Sequence, residues 1–402
     1  MRIERRSYEI DRAHGMTGQS PPSVLFLDQS GELGGAELSL LDIVRRRSGR
    51  TEVCLMSEGP FVGRLEQYGV AVSLWREGAP LVVRREEGIG AIVRAVPGLA
   101  STVRSVAARA RQFDVIYANT LKAFVVAAAS KPLHRRPVIW HLRDLLTPEH
   151  FSGTLRHLVV SLARLSKARV IANSRATADA FTTLGGSDVA VIYNGIDAEP
   201  FDAIDPLEAR RRLLDETGLA ADRPIAGVFS RLAAWKGQHV LVDALASLPN
   251  MQAVIVGGPL FGEQAYEERL KARIEELGLG RRIRLLGFRS DVPSLMSAVD
   301  IVAHTSTSAE PFGRVIVEGM LAGKPVIATR AGGATELIRA GETGMLVTPG
   351  DTDALVRALG ALTQDPEASR AMSTRANRLA RVNFHVDDYV RQVEAVITSV
   401  AR

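Results

Sequence analysis

The chain has 402 residues, of which 46% are hydrophobic and 24% charged, a balance that suits two globular domains and excludes a disordered or fibrous chain. Lys plus Arg number 50 against 45 for Asp plus Glu, leaving +5. That mild excess admits a phosphate-bearing ligand or an anionic membrane surface, and it does not mark a nucleic-acid binder.

Residues 1–22 are charged and lack an apolar core of the secretory type, so they read as a mobile leader, with Met16 a candidate start. From Ser23, the apolar runs SVLFLD, TEVCLM, VAVSLW, DVIYA, PVIWH, ARVIAN and DVAVIY alternate with helical patterns such as Ala36–Arg46 and Leu155–Lys167. This alternation predicts a parallel sheet covered by helices on both faces. Cys54, the one cysteine, excludes an intrachain disulfide framework and a cysteine-rich zinc site. Within TEVCLM it reads as a buried, inert thiol. No apolar run approaches the ~20 residues of a membrane span.

Ligands of open α/β sheets bind beyond the carboxyl ends of strands, so polar residues there are the candidates. The first is the turn DQSGELGGAE, in which Gly34 and Gly35 can bring backbone amides against a phosphate or sugar. It is neither a dinucleotide fingerprint nor a Walker loop, and alone it reads as an ordinary tight turn. Asn119 and Thr120 follow DVIYA, and His141, Arg143 and Asp144 follow VIW. A lone histidine is more often structural, but this position favours a polar contact in a cleft. The stretch TLRHLVVSLARLSKAR is amphipathic; core packing is its ordinary reading, contact with an anionic membrane its alternative. Asn173, Ser174, Asn194 and Asp197 come next, with Ser174 read as a helix N-cap.

The turn-rich NGIDAEPFDAIDP sets a domain boundary near Asp202, giving domains 23–201 and 202–385. A second strand series then runs through Pro224–Ser230, MQAVIVG, RIRLLG, VDIVAH, KPVIAT and MLVT. After its first strand come Arg231 and Lys236, two cations suited to a diphosphate that leaves with growing negative charge. The strongest segment is HTSTSAEPFGRVIVEGMLAGKPVIAT. Its helix, entered at Pro311–Gly313, offers free amides at Phe312, Gly313 and Arg314 for a diphosphate. Glu310 just before it is expected to face a neutral hydroxylated group, because a carboxylate repels phosphate. Glu310 or Glu318 alone reads as a cap or a solvated residue; together in this context they point to a site. Asp351-Thr352-Asp353 has metal-site spacing, yet it follows Pro349-Gly350 and precedes a helix, so Asp351 reads as a cap.

These segments together resemble glycosyltransferase family 4, retaining nucleotide-sugar-dependent enzymes of the GT-B fold. The likeness runs from Ser23 through almost the whole chain, on EPFGRVIVE (the family's E-x7-E signature), GGAE, WHLRD, NGID, SRL…KG, GGATELI and GETGMLVTPGD. It implies two Rossmann-like doubly wound domains facing a central cleft. It further implies that Arg231 and Lys236 hold and stabilise the donor diphosphate, completed by the amides of Phe312, Gly313, Arg314 and Val315. Glu310 would contact the donor sugar, Glu318 the ribose, and His141 the sugar from the first domain. Gly34 and Gly35 would line the diphosphate, Asn194 of NGID the donor site, and Gly287, Phe288 and Arg289 the nucleobase. The tail 386–402 would form a helix crossing back to the first domain.

The expected reaction is transfer of a sugar from a nucleotide-diphosphate donor to a hydroxyl acceptor, with no metal or other cofactor, since Arg and Lys replace a divalent ion. No second carboxylate is placed for a covalent intermediate, so front-face substitution is expected, the departing phosphate taking the acceptor's proton. A sugar-nucleotide epimerase, or a non-catalytic sugar-nucleotide-binding partner subunit, is the alternative; a phosphorylase would need a pyridoxal-binding lysine, and none is marked. The expected location is the cytoplasm, where nucleotide sugars are made, with peripheral membrane contact as an option and no nucleic-acid partner. Acceptor choice is assigned to the loops Ala79–Gly90 and Leu145–Thr154.

Overall fold

The computed structural model describes residues 20–75, 89–260 and 262–402, with side chains described throughout except at 89–99. The expected leader, apart from residues 20–22, and the expected acceptor loop at 79–88 lie outside the described residues. The first half runs β1 (Val24–Asp28), α1 (Gly35–Val44), β2 (Thr51–Leu55), α2 (Pro60–Gln67), β3 (Ala71–Leu74), α3 (Ile89–Ala110) and β4 (Val115–Ala118). It continues with α4 (Leu121–His134), β5 (Val138–Leu142), α5 (Gly153–Leu165), β6 (Arg169–Ala172), α6 (Arg175–Thr183) and β7 (Val189–Val191). All pairings are parallel, in the order β3-β2-β1-β4-β5-β6-β7. Every residue of β1, β4 and β5 is buried, as a sheet covered on both faces requires. Along β1, Leu25 and Leu27 enter one apolar cluster with Trp140 and Phe124, while Val24 and Phe26 enter another on the opposite face. Cys54 is in the first of these, and burial pushes its thiol up to about 11, which removes it as a nucleophile.

The second half runs α7 (Glu199–Asp202), α8 (Pro206–Thr217), β8 (Ile225–Phe229), α9 (Gln238–Ala246), β9 (Gln252–Val256), α10 (Gln264–Glu276), β10 (Ile283–Gly287), α11 (Val292–Ala298) and β11 (Ile301–His304). After these come α12 (Arg314–Leu321), β12 (Val326–Thr329), α13 (Ala334–Leu337), β13 (Met345–Val347), α14 (Thr352–Gln364), α15 (Pro366–Asn383) and α16 (Val386–Ala401). The second sheet is also parallel, β10-β9-β8-β11-β12-β13. In both sheets the strand order reverses beside the first strand, at β1/β4 and β8/β11, the switch points where such folds bind ligands. The Asp351 carboxylate accepts from Ala354 N–H at 2.8 Å, and the Ser174 hydroxyl from Thr177 N–H at 3.0 Å, so both are helix caps.

The crossing between domains falls slightly earlier than the turn residues suggest. Ile196 and Phe201 already pack in the second domain's core, because the apolar face of α8 and α11 reaches them before Asp202. The chain crosses back beside the same point: Ile196 N–H donates to Phe384 C=O at 2.9 Å, and Ile196 bridges His385. Gly195 makes this side-by-side passage feasible, since a Cβ there would stand 2.6 Å from both Val386 Cα and Tyr389 Cβ. Beyond the crossing, α16 lays Val386, Tyr389, Val390, Val393 and Ile397 on the first domain, in one cluster with Val24 and Phe26. Their spacing of three, four and seven residues is one face of a helix. Gly195→Ala is expected to lower the melting temperature measurably, because neither backbone can retreat without breaking that pairing.

Candidate functional site

The strand ends of the two sheets meet across a cleft. On the second domain's side, β8 leads into Arg231 and a short turn carrying Trp235 and Lys236. Gly237 closes that turn at φ +68°, with its Cα so close to Thr305 that a Cβ would lie 2.0 Å from the Thr305 carbonyl oxygen. This contact seats Lys236 against the loop after β11. There its Nζ lies 2.6 Å from Glu310 Oε1 and 4.3 Å from the centre of the Trp235 ring. Glu310 is buried and also meets His304 Nε2 at 2.8 Å and the Ser306 hydroxyl. Burial pushes its carboxyl up, but Lys236 and then His304 pull it well below the usual carboxylate range, so it is ionised at neutral pH. The charge that would repel a phosphate is thereby paired with the Lys236 ammonium, a contact that composition alone does not reveal. Burial lowers the Arg231 guanidinium somewhat, against the fields of Glu263, Glu310 and Glu37, which places it among carboxylates of both domains.

Immediately after Glu310, Gly313 caps α12, whose Arg314 and Glu318 lie one turn apart, Nε to Oε1 3.4 Å. Arg314 reaches over the cleft: its Nη1 donates to Ser39 Oγ at 2.8 Å, stands 3.6 Å from Asp42 Oδ2, and its stem faces Gly35. Glu318 is raised by burial, against the pull of Arg314. Phe312 precedes the Gly313 cap, and its ring is buried in the second core beside Phe384, 5.9 Å centre to centre. Val315 packs at the edge of the same core.

On the first domain's side, Gly34 and Gly35 open α1. The Gly34 N–H is engaged by Glu37 Oε2 of its own helix at 3.0 Å, a reciprocal cap that withdraws one of the two amides assigned to a ligand. Burial and then Asp28 push the Glu37 carboxyl up to about 8; burial raises Asp28 to about 6 against the donation of Asn119 at 2.6 Å. The folded protein thus retains protons that an unfolded chain, with Glu near 4.5, releases. Stability therefore falls as pH rises from about 5 to about 8. Glu37→Gln keeps an oxygen for Gly34 and removes the titration, so its urea midpoint is expected to vary less than the wild type's across that window.

His141 is fully buried at the end of β5, with Nδ1 facing the Tyr117 hydroxyl and Arg143 Nη2 (3.2 Å). Asn194, expected at the donor, accepts at its amide oxygen from Arg143 Nη1 at 2.8 Å and is 3% exposed. The reason is the buried guanidinium itself, which must find acceptors and takes this one. Likewise Arg289 is held by both oxygens of Asp291 at 2.8 Å and by Glu216, so its charge is committed on its own surface. Gly287 and the 63%-exposed Phe288 beside it stand at the end of β10, near Gly258.

Three features escape sequence reading. His304 ends β11 and His141 lies one residue short of the end of β5, so the same strand-end rule would have found it. Glu336, from GGATE, reaches into the first domain: its carboxylate accepts from Arg175 and Ala176 N–H at 2.9 and 2.8 Å and from the Tyr193 hydroxyl at 2.7 Å. His150 Nε2 donates to Ala309 C=O at 3.0 Å from the other side. Nothing in the sequence pairs residues so far apart.

Comparison with known proteins agrees with this architecture. Residues 209–379 match the family model described as Glycosyl transferases group 1, and residues 33–200 that described as Glycosyltransferase Family 4. The crystal structure of Anabaena Alr3699/HepE in complex with UDP-glucose is 42% identical, with a TM-score of 0.85 over 94% of this chain and 100% of that one. The lipopolysaccharide core mannosyltransferase LpsB of Rhizobium meliloti is 33% identical over 221 residues, 53% of this chain and 61% of LpsB. A D-inositol 3-phosphate glycosyltransferase of Mycobacterium marinum is 32% identical over 214 residues, 52% of this chain and 45% of that protein. The chain thus matches roughly half of the length of these curated relatives. With both domain models in sequence, and a full-length structural relative on two facing Rossmann-like sheets, the chain belongs to glycosyltransferase family 4 and has the GT-B fold.

Proposed function

We propose that this protein transfers a sugar, with retention and without a metal, from a UDP-linked donor to a hydroxyl acceptor. The observation that carries the reading is the contact of Lys236 with buried, ionised Glu310, beside Arg231 and directly ahead of the α12 amides. A donor diphosphate fits the amides of Gly313, Arg314 and Val315 together with the two cations, and Glu310 is left to accept from sugar hydroxyls. UDP is the first nucleotide to test because the HepE complexes contain UDP, UDP-glucose, and UDP with glucose.

In the proposed step the bond from the anomeric carbon to the β-phosphate oxygen breaks. The acceptor oxygen bonds that carbon on the same face, and its proton passes to the departing phosphate oxygen. Lys236 and Arg231 stabilise the charge that grows there. Glu310, held ionised by Lys236 and His304, is a weak base and is not assigned the proton. Burial, then Arg143, holds His141 well below its ordinary value, so it stays neutral and offers a hydrogen-bond donor to the sugar.

Thermal shift with UDP, UDP-glucose and a GDP-sugar, followed by UDP release with an acceptor panel, tests this reading. A rise in melting temperature with a sugar nucleotide and an α-linked product from an α-linked donor, unaffected by EDTA, is expected. Absence of any shift would sink it, and binding without turnover across acceptors would favour a non-catalytic partner.

The same reading places the protein in the cytoplasm, against an anionic membrane. No helix among the described residues is long and apolar enough to cross one. However, Leu158 and Leu165 on α5 and Leu133 at the end of α4 are 51%, 82% and 46% exposed, with exposed Arg135, Arg164 and Lys167 on the same two segments. Sedimentation with phosphatidylglycerol vesicles, absent with phosphatidylcholine and weakened by salt or by Leu165→Glu, is the expected result.

A further inference from the structure

Arg143 uses its guanidinium more fully than any helix-surface arginine could. Nε donates to Asn119 Oδ1 at 2.8 Å, Nη1 to Asn194 Oδ1 at 2.8 Å, and Nη2 both to the Tyr389 hydroxyl at 3.0 Å and toward His141 Nδ1 at 3.2 Å. These partners come from the end of β4, the crossing segment, α16 and β5, and each is nearly or fully buried. A guanidinium can only donate, so His141 Nδ1 must be the acceptor. The Tyr117 hydroxyl, which faces that nitrogen too, then also donates. The ring proton is therefore on Nε2, and Nε2 is buried with no hydrogen-bond partner among the described residues. The one polar atom of the ring left for another molecule is thus an N–H donor of fixed orientation.

We propose that Arg143 and Tyr389 are positioning residues that fix His141 in its Nε2–H form, so that the helix returning from the second domain completes a sugar-binding group of the first. This assignment rests on the proposed reading of the cleft, in which His141 meets the donor sugar. Tyr389 is tied in at its other side as well: its hydroxyl lies 3.4 Å from Ser39 C=O of α1, and its ring 6.3 Å from that of His141. Whether α16 is docked on the first domain is thereby read by the histidine. A lysine at 143 would supply one charged nitrogen and could not address four partners in a plane.

The test begins without substrate. In protein labelled with 15N-histidine, His141 is expected to show a non-protonated Nδ1 and a protonated Nε2 in the wild type. Tyr389→Phe keeps the packing and removes one acceptor that holds the Arg143 guanidinium in place, so the guanidinium is expected to loosen from Nδ1 and give a mixture of the two ring forms. With a turned-over sugar nucleotide, it is expected to lose about tenfold in kcat/KM, as for one hydrogen bond to a charged group. Arg143→Gln is expected to mix the forms further, and Arg143→Lys not to restore them. A protonated Nδ1 in the wild type, or an unchanged single ring form in both Tyr389→Phe and Arg143→Gln, would overturn the assignment. So would a mixed ring with unchanged kinetics. Should the ring forms behave as described while no sugar nucleotide binds, the failure would lie with the function proposed for the cleft and not with the network.

Discussion

Lys236→Ala is expected to lower turnover of a sugar nucleotide about 10²–10³-fold while leaving the melting temperature within a few degrees of the wild type. The asymmetry follows from what Lys236 touches. Its ammonium contacts one carboxylate and one ring face, and Glu310 retains His304 and the Ser306 hydroxyl when the lysine is removed. Structure therefore loses one of several partners, whereas a departing diphosphate loses a point charge aimed at it. Lys236→Arg is expected to restore little, since a guanidinium spreads its charge over a planar fork on a longer side chain where lysine holds a compact point charge. Single-turnover kinetics with calorimetry in parallel would check both halves; an alanine variant as active as the wild type would remove Lys236 from the chemistry.

Arg143→Met carries the largest expected cost in stability, about 3–5 kcal/mol by urea unfolding, as for breaking a buried charged network from one side. Removing the guanidinium strands the Asn119 and Asn194 amide oxygens and takes the cation from the Asp28 and Glu37 carboxyls, which burial already holds above their ordinary values. It also releases the Tyr389 hydroxyl, and with it part of the seat of α16. Coupling between Arg143→Met and Tyr389→Phe in a double-mutant cycle is expected, because the two share a bond. Additive effects would show that α16 is held by its apolar face alone.

The two predictions differ in how far each was legible beforehand. The placement of Arg231, Lys236, Glu310 and the α12 entrance was readable because each lies in the loop after a β-rich run, and local spacing is enough to assign a residue to a strand's carboxyl end. The order of elements was readable for the same reason: buried parallel strands appear as short apolar runs, and their helices carry a different period. Arg143 was visible only as a polar neighbour of His141. Its role depends on Asn119, Asn194 and Tyr389, which come from distant positions in the chain, and no local pattern joins them.

What the sequence determined by itself is therefore the fold class, the repeat of the doubly wound unit, and the strand ends that carry the candidate residues, since all three follow from periodicity and turn chemistry over a few residues. The tertiary structure alone decided which polar groups pair with one another: that Glu310 is shared by Lys236 and His304, that Gly34's amide is taken by Glu37, that Asn194 meets Arg143 and Arg289 meets Asp291, and that the tail's Tyr389 reaches the first domain. Electrostatic pairing depends on distance in space and on removal from water, and a sequence encodes neither until the chain has closed on itself.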